Sequence, residues 1–532
     1  MALDARTEEE QSTMRRARVL SMPYVDTSKI ENKVLYKEIF TVPEIEQMKI
    51  IPLTADQRTI NFGITTVTSQ NTMKKLRDHF IDQKVTFSII SDVGFNEYLH
   101  LYDPPKKIEY QDISISVKSN LQSIAQISQT LLEVRPDDML AFLVQQAFRL
   151  GSSDIHLETK HEGARIRFRV DGVLHLIAEI NSDRYHQLIS VLASASNIST
   201  SADEAQTGQI NRSFKLATGE DVTVNLRVEA VPAVNGTDAV LRLFNFRKDM
   251  LRLSRLGLNR SQDEVMRDII ARPSGLVMIV GPTGSGKSTT LYSIINELNT
   301  DERKIITLED PVEYQIEGIT QIPIKSRKGS SFADGLRSVL RLDPDVIMVG
   351  EIRDNDTAKT ALQAALTGHL VLSTYHASSA AAAITRLLDA IGENPLYAST
   401  IRLIQSQRLV RRLDDKTKQQ IEPTAELEQY LESIVQSITA DVDLSFLPQA
   451  KLYKPTPTDQ NPFGYEGQFA IRELLTMTPD MVKLLSRPAH ELSTEVIEAE
   501  AIKGGMLTMK QDGVLRALQG DTTYEEIFRV LG

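Results

Sequence analysis

The chain has 532 residues, 60 Lys+Arg against 71 Asp+Glu for a net charge of -11, 41% hydrophobic residues, and neither cysteine nor tryptophan. At roughly 150 residues per domain this length predicts about three to four domains, and the absence of cysteine excludes a disulfide framework and any thiolate-held zinc or iron–sulfur site. The acidic balance argues against whole-surface nucleic-acid binding.

The N-terminus, MALDARTEEEQSTMRRARVL, lacks the basic region and apolar core of a signal peptide. No run of about 18 apolar residues follows anywhere, so no integral membrane segment is expected and any membrane association must come through a partner or the surface. Residues 1–103 read as a small α/β module, with strands predicted at 49–53 and 85–90 and a helix at 73–81. Asp103-Pro-Pro-Lys-Lys107 opens a linker over 104–124. A second α/β domain is expected over 125–248, with a helix at 138–150 and alternating strands at 165–170 and 221–228.

From 249 to 532 the pattern is strand, glycine loop, helix, strand, the alternation of a parallel sheet covered by helices. Strands are predicted at 276–280, 304–308, 346–349 and 370–373. The stretch 414–463 is polar and carries Pro423, Pro448, Pro455, Pro457 and Pro462. It reads as an insertion or mobile subdomain, with a helical C-terminal subdomain after it.

Gly281-Pro282-Thr283-Gly284-Ser285-Gly286-Lys287-Ser288-Thr289 follows the first of these strands and opens a helix. A phosphate chain needs converging N–H donors, and glycines leave the approach open. The helix N-terminus adds positive potential, Lys287 reaches the β- and γ-phosphates, and Ser288 is placed to ligate Mg²⁺. The pattern therefore predicts ATP and Mg²⁺ as ligands.

Val346-Ile-Met-Val-Gly350-Glu351 ends a neighbouring strand on a carboxylate suited to a metal's water shell. The plain alternative for Glu351 is a pair with Arg353. Thr307-Leu-Glu309-Asp-Pro-Val-Glu313 runs another strand into three acids, a place suited to a base that orients water, or simply to a solvated loop. His369 and His376 bracket the strand at 370–373, where a histidine is either a satisfied structural residue or a functional one.

These segments, in order, resemble the Walker A, Asp, Walker B and His boxes of the secretion ATPases, the superfamily that drives type II secretion and type IV pilus assembly. The likeness covers about 125–532. Upstream it includes Ser153-Asp-Ile-His-Leu-Glu158, Arg165-Ile-Arg-Phe-Arg-Val-Asp-Gly172 and Leu226-Arg227-Val228, and downstream Gln407-Arg-Leu-Val-Arg-Arg412 and the segment from Met506 to Gly513.

The resemblance implies a RecA-like motor domain preceded by a PAS-like α/β domain and the small N-terminal module. It also implies a cytoplasmic homohexamer, peripheral at the inner face of the membrane, that docks on an inner-membrane platform protein. By the same carry-over Glu309 becomes the water-orienting base with Glu313 in reserve, His376 a γ-phosphate sensor, and Arg227 and Arg242 the cations that approach ATP across a domain interface. For these arginines the alternative is structural salt bridging.

Relatives with a four-cysteine zinc site after the stretch matching 409–413 differ from this chain, where Asp414-Asp-Lys416 follows and no zinc is expected. The first hundred residues resemble the N-terminal module that in some relatives binds cyclic di-GMP, but lack the leucine- and glycine-rich motif used there, so that ligand is not predicted.

The N-terminal module points to pilus extension, with type II secretion or DNA uptake as alternatives. A nucleic-acid translocase would want a basic channel with stacking aromatics, which an acidic, tryptophan-free chain does not offer. Lys287→Ala is expected to abolish Mg²⁺-dependent phosphate release, and wild-type turnover in that variant would remove the ATPase assignment.

Overall fold

The computed structural model describes residues 2–30, 33–102, 120–199, 203–215, 221–244, 251–324, 331–392, 396–458 and 461–532. The chain divides into two compact units, Met1–Gln111 and Asp112–Gly532. Most of the expected linker at 104–124 lies outside the described residues, and its end already belongs to the helix Asn120–Glu133. The expected domain boundary at 248 also falls outside them.

The first unit is built on a three-stranded sheet, β1 (Ile50–Ala55), β2 (Thr59–Ile64) and β3 (Lys84–Ile89), in that order. The β1–β2 pair is antiparallel and β2–β3 parallel, so the helix Gln70–His79 forms the crossover. Phe62, Ile64, Leu76 and Phe87 pack together as its core. Ser69 caps that helix by accepting from the Thr72 amide.

The second unit opens with a six-stranded antiparallel sheet. Its strands are β4 (Ser152–Thr159), β5 (Ala164–Val170), β6 (Val173–Ile180), β7 (Gln206–Lys215), β8 (Asp221–Ala233) and β9 (Gly236–Phe244), ordered β6-β5-β4-β9-β8-β7. Strand β5, Ala-Arg-Ile-Arg-Phe-Arg-Val, alternates strictly: Ala164, Ile166, Phe168 and Val170 are buried, and the three arginines face the other side. One face is therefore apolar and the other positively charged.

The motor sheet comprises β10 (Gly275–Val280), β11 (Ile305–Glu309), β12 (Thr320–Pro323), β13 (Val346–Val349), β14 (Leu370–Tyr375), β15 (Ile401–Leu413) and, after a short β16–β17 hairpin (Gln419–Ile421 and Leu452–Lys454), β18 (Tyr465–Thr476). Its order is β12-β11-β13-β14-β10-β15-β18, parallel except at β15–β18. Strand β10 is apolar at every position because both of its faces are covered. Leu276, Met278 and Val280 enter one core cluster and Val277 and Ile279 the other. Burying each such side chain contributes about 1.5–3 kcal/mol.

The polar stretch 414–463, read from the sequence as an insertion or mobile subdomain, packs against the C-terminal helices. The helix Ala425–Gln436 sends Leu431 and Ile434 into a cluster with Leu452 and with Val514, Ala517 and Ile527 from the C-terminal helices. Leu427, Leu431, Ile434 and Val435 lie on one helical stripe, a periodicity obscured by the surrounding prolines. Packing holds this segment.

The last helix, Tyr524–Leu531, is tied to β15 by a buried carboxylate. Glu526 accepts from the side chains of Arg411 and Arg529 and from the Arg411 backbone N–H. Burial alone would push the Glu526 carboxyl up, but Arg529 and Arg411 hold it down at about 2. Because the folded value lies below the ordinary carboxylate value, this contribution is present above about pH 4.5 and is lost as pH falls toward 2. Glu526→Gln is expected to lower thermal stability at neutral pH, and the gap from wild type should close on acid titration through that window. A gap independent of pH would argue against the ion pairs as its source.

Candidate active site

Parallel strands present their C-terminal ends at one edge of a sheet, and the motor places its chemistry there. Strand β10 ends at Gly281, and the loop reaches the helix Lys287–Leu298 through positive φ at Gly281 (150°), Gly284 (78°) and Gly286 (83°). A side chain at Gly281 would collide with the Gln407 backbone oxygen at 2.7 Å, so glycine is required there on two counts. Lys287 Nζ donates to the carbonyls of Gly281 and Pro282, both at 2.9 Å. Burial first, then nearby Arg408, pushes the Lys287 ammonium down, while Glu351 counters them. A cation half-desolvated and held only by loop carbonyls is prepared for an anion.

The cavity above this loop has a volume of about 880 Å³. Of the residues expected to bind nucleotide, Thr283, Gly284, Gly286, Lys287, Ser288 and Thr289 line it, while Gly281, Pro282 and Ser285 form the loop behind. Glu351 lies across from the loop, one residue past Gly350, whose N–H donates to Leu308 O at 2.8 Å. Its Oε2 accepts from Arg353 Nε at 2.6 Å, as the plain alternative anticipated. Its Oε1 lies 2.8 Å from His376 Nε2.

His376 thus joins Glu351 at the cavity. His369, at the other end of β14, turns to the Ala364 carbonyl.

Ser288 and Glu351 offer oxygen donors only, the set that suits Mg²⁺. Among the described residues no group of three or more His, Asp or Glu could hold a metal by itself. Such a donor set fits a cation shared with substrate phosphates rather than caged by protein.

Glu309 is buried with its oxygens already engaged. Tyr292 Oη donates to Oε2, and Oε1 accepts from Thr307 Oγ1 and from Gln321 Nε2. Glu313 is different. Burial pushes its carboxyl up, the Glu309 charge pushes it further, and Arg242 and Arg227 pull it back.

Those arginines come from the antiparallel sheet. Pairing places Arg169 of β5 opposite Asp154 of β4, Asp154 opposite Arg242 of β9, and Arg242 opposite Arg227 of β8. Three guanidinium groups and one carboxylate therefore form a single row that walls the cavity. Asp154 Oδ1 accepts from Arg242 Nε at 3.0 Å, Asp154 lies 3.6 Å from Arg169 Nε, and Arg227 Nε donates to Glu229 at 2.8 Å.

The sequence reading singled out Arg227 and Arg242 and passed over Arg169, Asp154 and Tyr292. The alternating arginines of β5 were a visible signal for the first. Nothing local marked Tyr292.

A sheet of parallel strands ending on a phosphate loop, faced by arginines of an adjoining sheet in the same chain, defines a P-loop ATPase. The family described as Type II/IV secretion system protein matches residues 137–529, and the chain belongs to it.

It is 38% identical over 425 residues to the type II secretion system protein E of Xanthomonas campestris pv. campestris, covering 80% of this chain and 71% of that protein. It is 37% identical over 388 residues to the type IV pilus assembly ATPase PilB of Thermus thermophilus, covering 72% of this chain and 42% of that one. The X-ray structure of the Legionella pneumophila ATPase DotB superposes with a TM-score of 0.54 at 25% identity, over 74% of this chain and 95% of that chain.

Arg227→Gln and Arg242→Gln are each expected to lower turnover at saturating ATP by a factor on the order of 10²–10³, as for loss of one donor to developing charge, with a smaller change in nucleotide affinity. Unchanged turnover in both single variants would remove the arginines from the reaction.

Proposed function

We propose that this secretion ATPase is a cytoplasmic homohexamer that converts ATP hydrolysis into pilin polymerisation for type IV pilus assembly, docked on an inner-membrane platform protein. The observation that carries the motor reading is the arginine row of one sheet facing the phosphate loop of another across a single cavity. Phosphoryl transfer rewards positive charge placed where negative charge moves, so any motion that brings the row to the γ-phosphate accelerates hydrolysis, and hydrolysis releases the row. Chemistry and domain movement are thereby coupled.

In this reading Lys287 and the loop amides bind the β- and γ-phosphates. Ser288 and Glu351 would hold Mg²⁺ there, Glu351 through water, and the ion when bound would supply charge neutralisation for the phosphates. His376, beside Glu351, senses the γ-phosphate from the end of β14. Glu309 was expected to orient the attacking water, yet its oxygens already serve Tyr292, Thr307 and Gln321. Glu313, at the cavity with Glu309 and the arginines acting on it and its carboxyl pushed up by desolvation first and Glu309 second, suits that task better.

The N-terminal unit ahead of the matched region supports pilus extension rather than retraction. No helix among the described residues is long and apolar enough to cross a membrane. Type II secretion stands as the second reading, since relatives bearing that name are as similar as those named for pili.

The two part on deletion of the gene in its host. Loss of surface pili with secretion and DNA uptake intact is the expected result. Loss of secretion with normal pili would replace the first reading by the second.

A further inference from the structure

We infer that Gln407, on strand β15, is a positioning residue that presets the phosphate loop, acting on the nucleotide through the Ser285–Gly286 peptide. This rests on the loop being the phosphate site. Gln407 is 1% exposed, and its carboxamide is engaged at both ends. Nε2 donates to the Ser285 carbonyl at 2.7 Å, while Oε1 accepts from Thr290 Oγ1 at 3.0 Å and from Gln405 Nε2 at 2.7 Å. A backbone carbonyl accepts only, so the amide nitrogen must be the end that meets Ser285, and the orientation of the group is determined by its partners.

The consequence follows from peptide planarity. The Ser285 C=O and the Gly286 N–H belong to one trans peptide and point in opposite directions. Holding the carbonyl toward β15 therefore turns the Gly286 N–H away from it, on the side where Gly286 lines the cavity. Thr290 lies in the first turn of the helix Lys287–Leu298, so one carboxamide fastens the loop and the helix start together.

The glycines complete the fit. A Cβ on Gly281 would come within 2.7 Å of the Gln407 oxygen, and one on Gly286 within 3.2 Å of Gln407 Nε2. Close approach of β15 is thus a second reason, beside phosphate access, for glycine at these positions.

A preset N–H contacts the phosphate chain in the ground state and in the transition state alike, so its loss should weaken binding more than the chemical step. The substitution Gln407→Met keeps bulk and removes all three hydrogen bonds of the carboxamide. In the full chain it is expected to raise the Kd for ADP and the KM for ATP about tenfold or more, with kcat changed less than threefold, and to lower the melting temperature without nucleotide, because the Ser285 carbonyl, Thr290 hydroxyl and Gln405 amide lose a buried partner. Thr290→Val, which spares the Ser285 bond and leaves Gln407 Oε1 with the Gln405 donor alone, should move Kd in the same direction by less. The double variant should fall short of the product of the two effects, because both act through one group.

Unaltered ADP affinity in folded Gln407→Met protein would overturn the inference, as would a loss of kcat with KM preserved. Should Gln407→Met fail to fold, Thr290→Val decides: an unchanged Kd overturns the inference and a raised one supports it. Lys287→Ala runs alongside, because retained nucleotide binding and turnover there would fault the phosphate site itself, whereas their loss beside an unaffected Gln407→Met would fault Gln407 alone.

Discussion

The architecture depends on how strand β10 ends. It is buried on both faces, so its direction is rigidly held, and it runs out into a loop whose glycines open its backbone N–H groups to a phosphate beside Lys287. Each neighbour is parallel to β10 and ends at the same edge. Strand β11 delivers Glu309 and Glu313, β13 delivers Glu351, and β14 delivers His376, because the register between strands aligns Val280 with Tyr375 and Leu308 with Val349. A parallel sheet with covered faces has only its edge for chemistry, and the motor's own candidate groups, the loop with Glu309, Glu351 and His376, lie there.

Charge divides the cavity into two walls. The motor side carries carboxylates beside one lysine, and the antiparallel sheet brings Arg169, Arg242 and Arg227 in a row interrupted by Asp154. Near the arginine row the Glu313 carboxyl is pushed up, first by desolvation and then by the Glu309 charge. ATP between the walls would exchange protein ion pairs for contacts to phosphate, and its affinity would then differ between positions of the sheet relative to the loop. That difference is what a motor needs, since a ligand shifts a conformational equilibrium only by its differential affinity.

Polar groups behind the loop do quieter work. Glu309 is enclosed by Tyr292, Thr307 and Gln321, linking the phosphate-loop helix to β11, and Gln407 links the loop to β15. Such satisfied networks rigidify what they join, because each buried group left without a partner is costly. The packed 414–463 segment extends the same order outward. Leu431 and Ile434 contribute the apolar contacts that hold it to the C-terminal helices.

The sequence by itself determined the phosphate loop, the four strands around it and the carboxylates at their ends. These depend on local chemistry: apolar runs long enough to span a sheet, glycines where no Cβ fits, and acids directly following a strand. It also showed β5 as an alternating strand, though not what its arginines face.

Tertiary structure alone decided the rest. Asp154 meets Arg242 from 88 positions away and Gln407 meets Ser285 across 122, through strand pairings that no short window of sequence contains. Whether a glutamate is free to act or already spoken for depends on who its neighbours are. Those neighbours are chosen by the packing of the whole domain, whereas the glycine loop is dictated by the atoms of its own few residues.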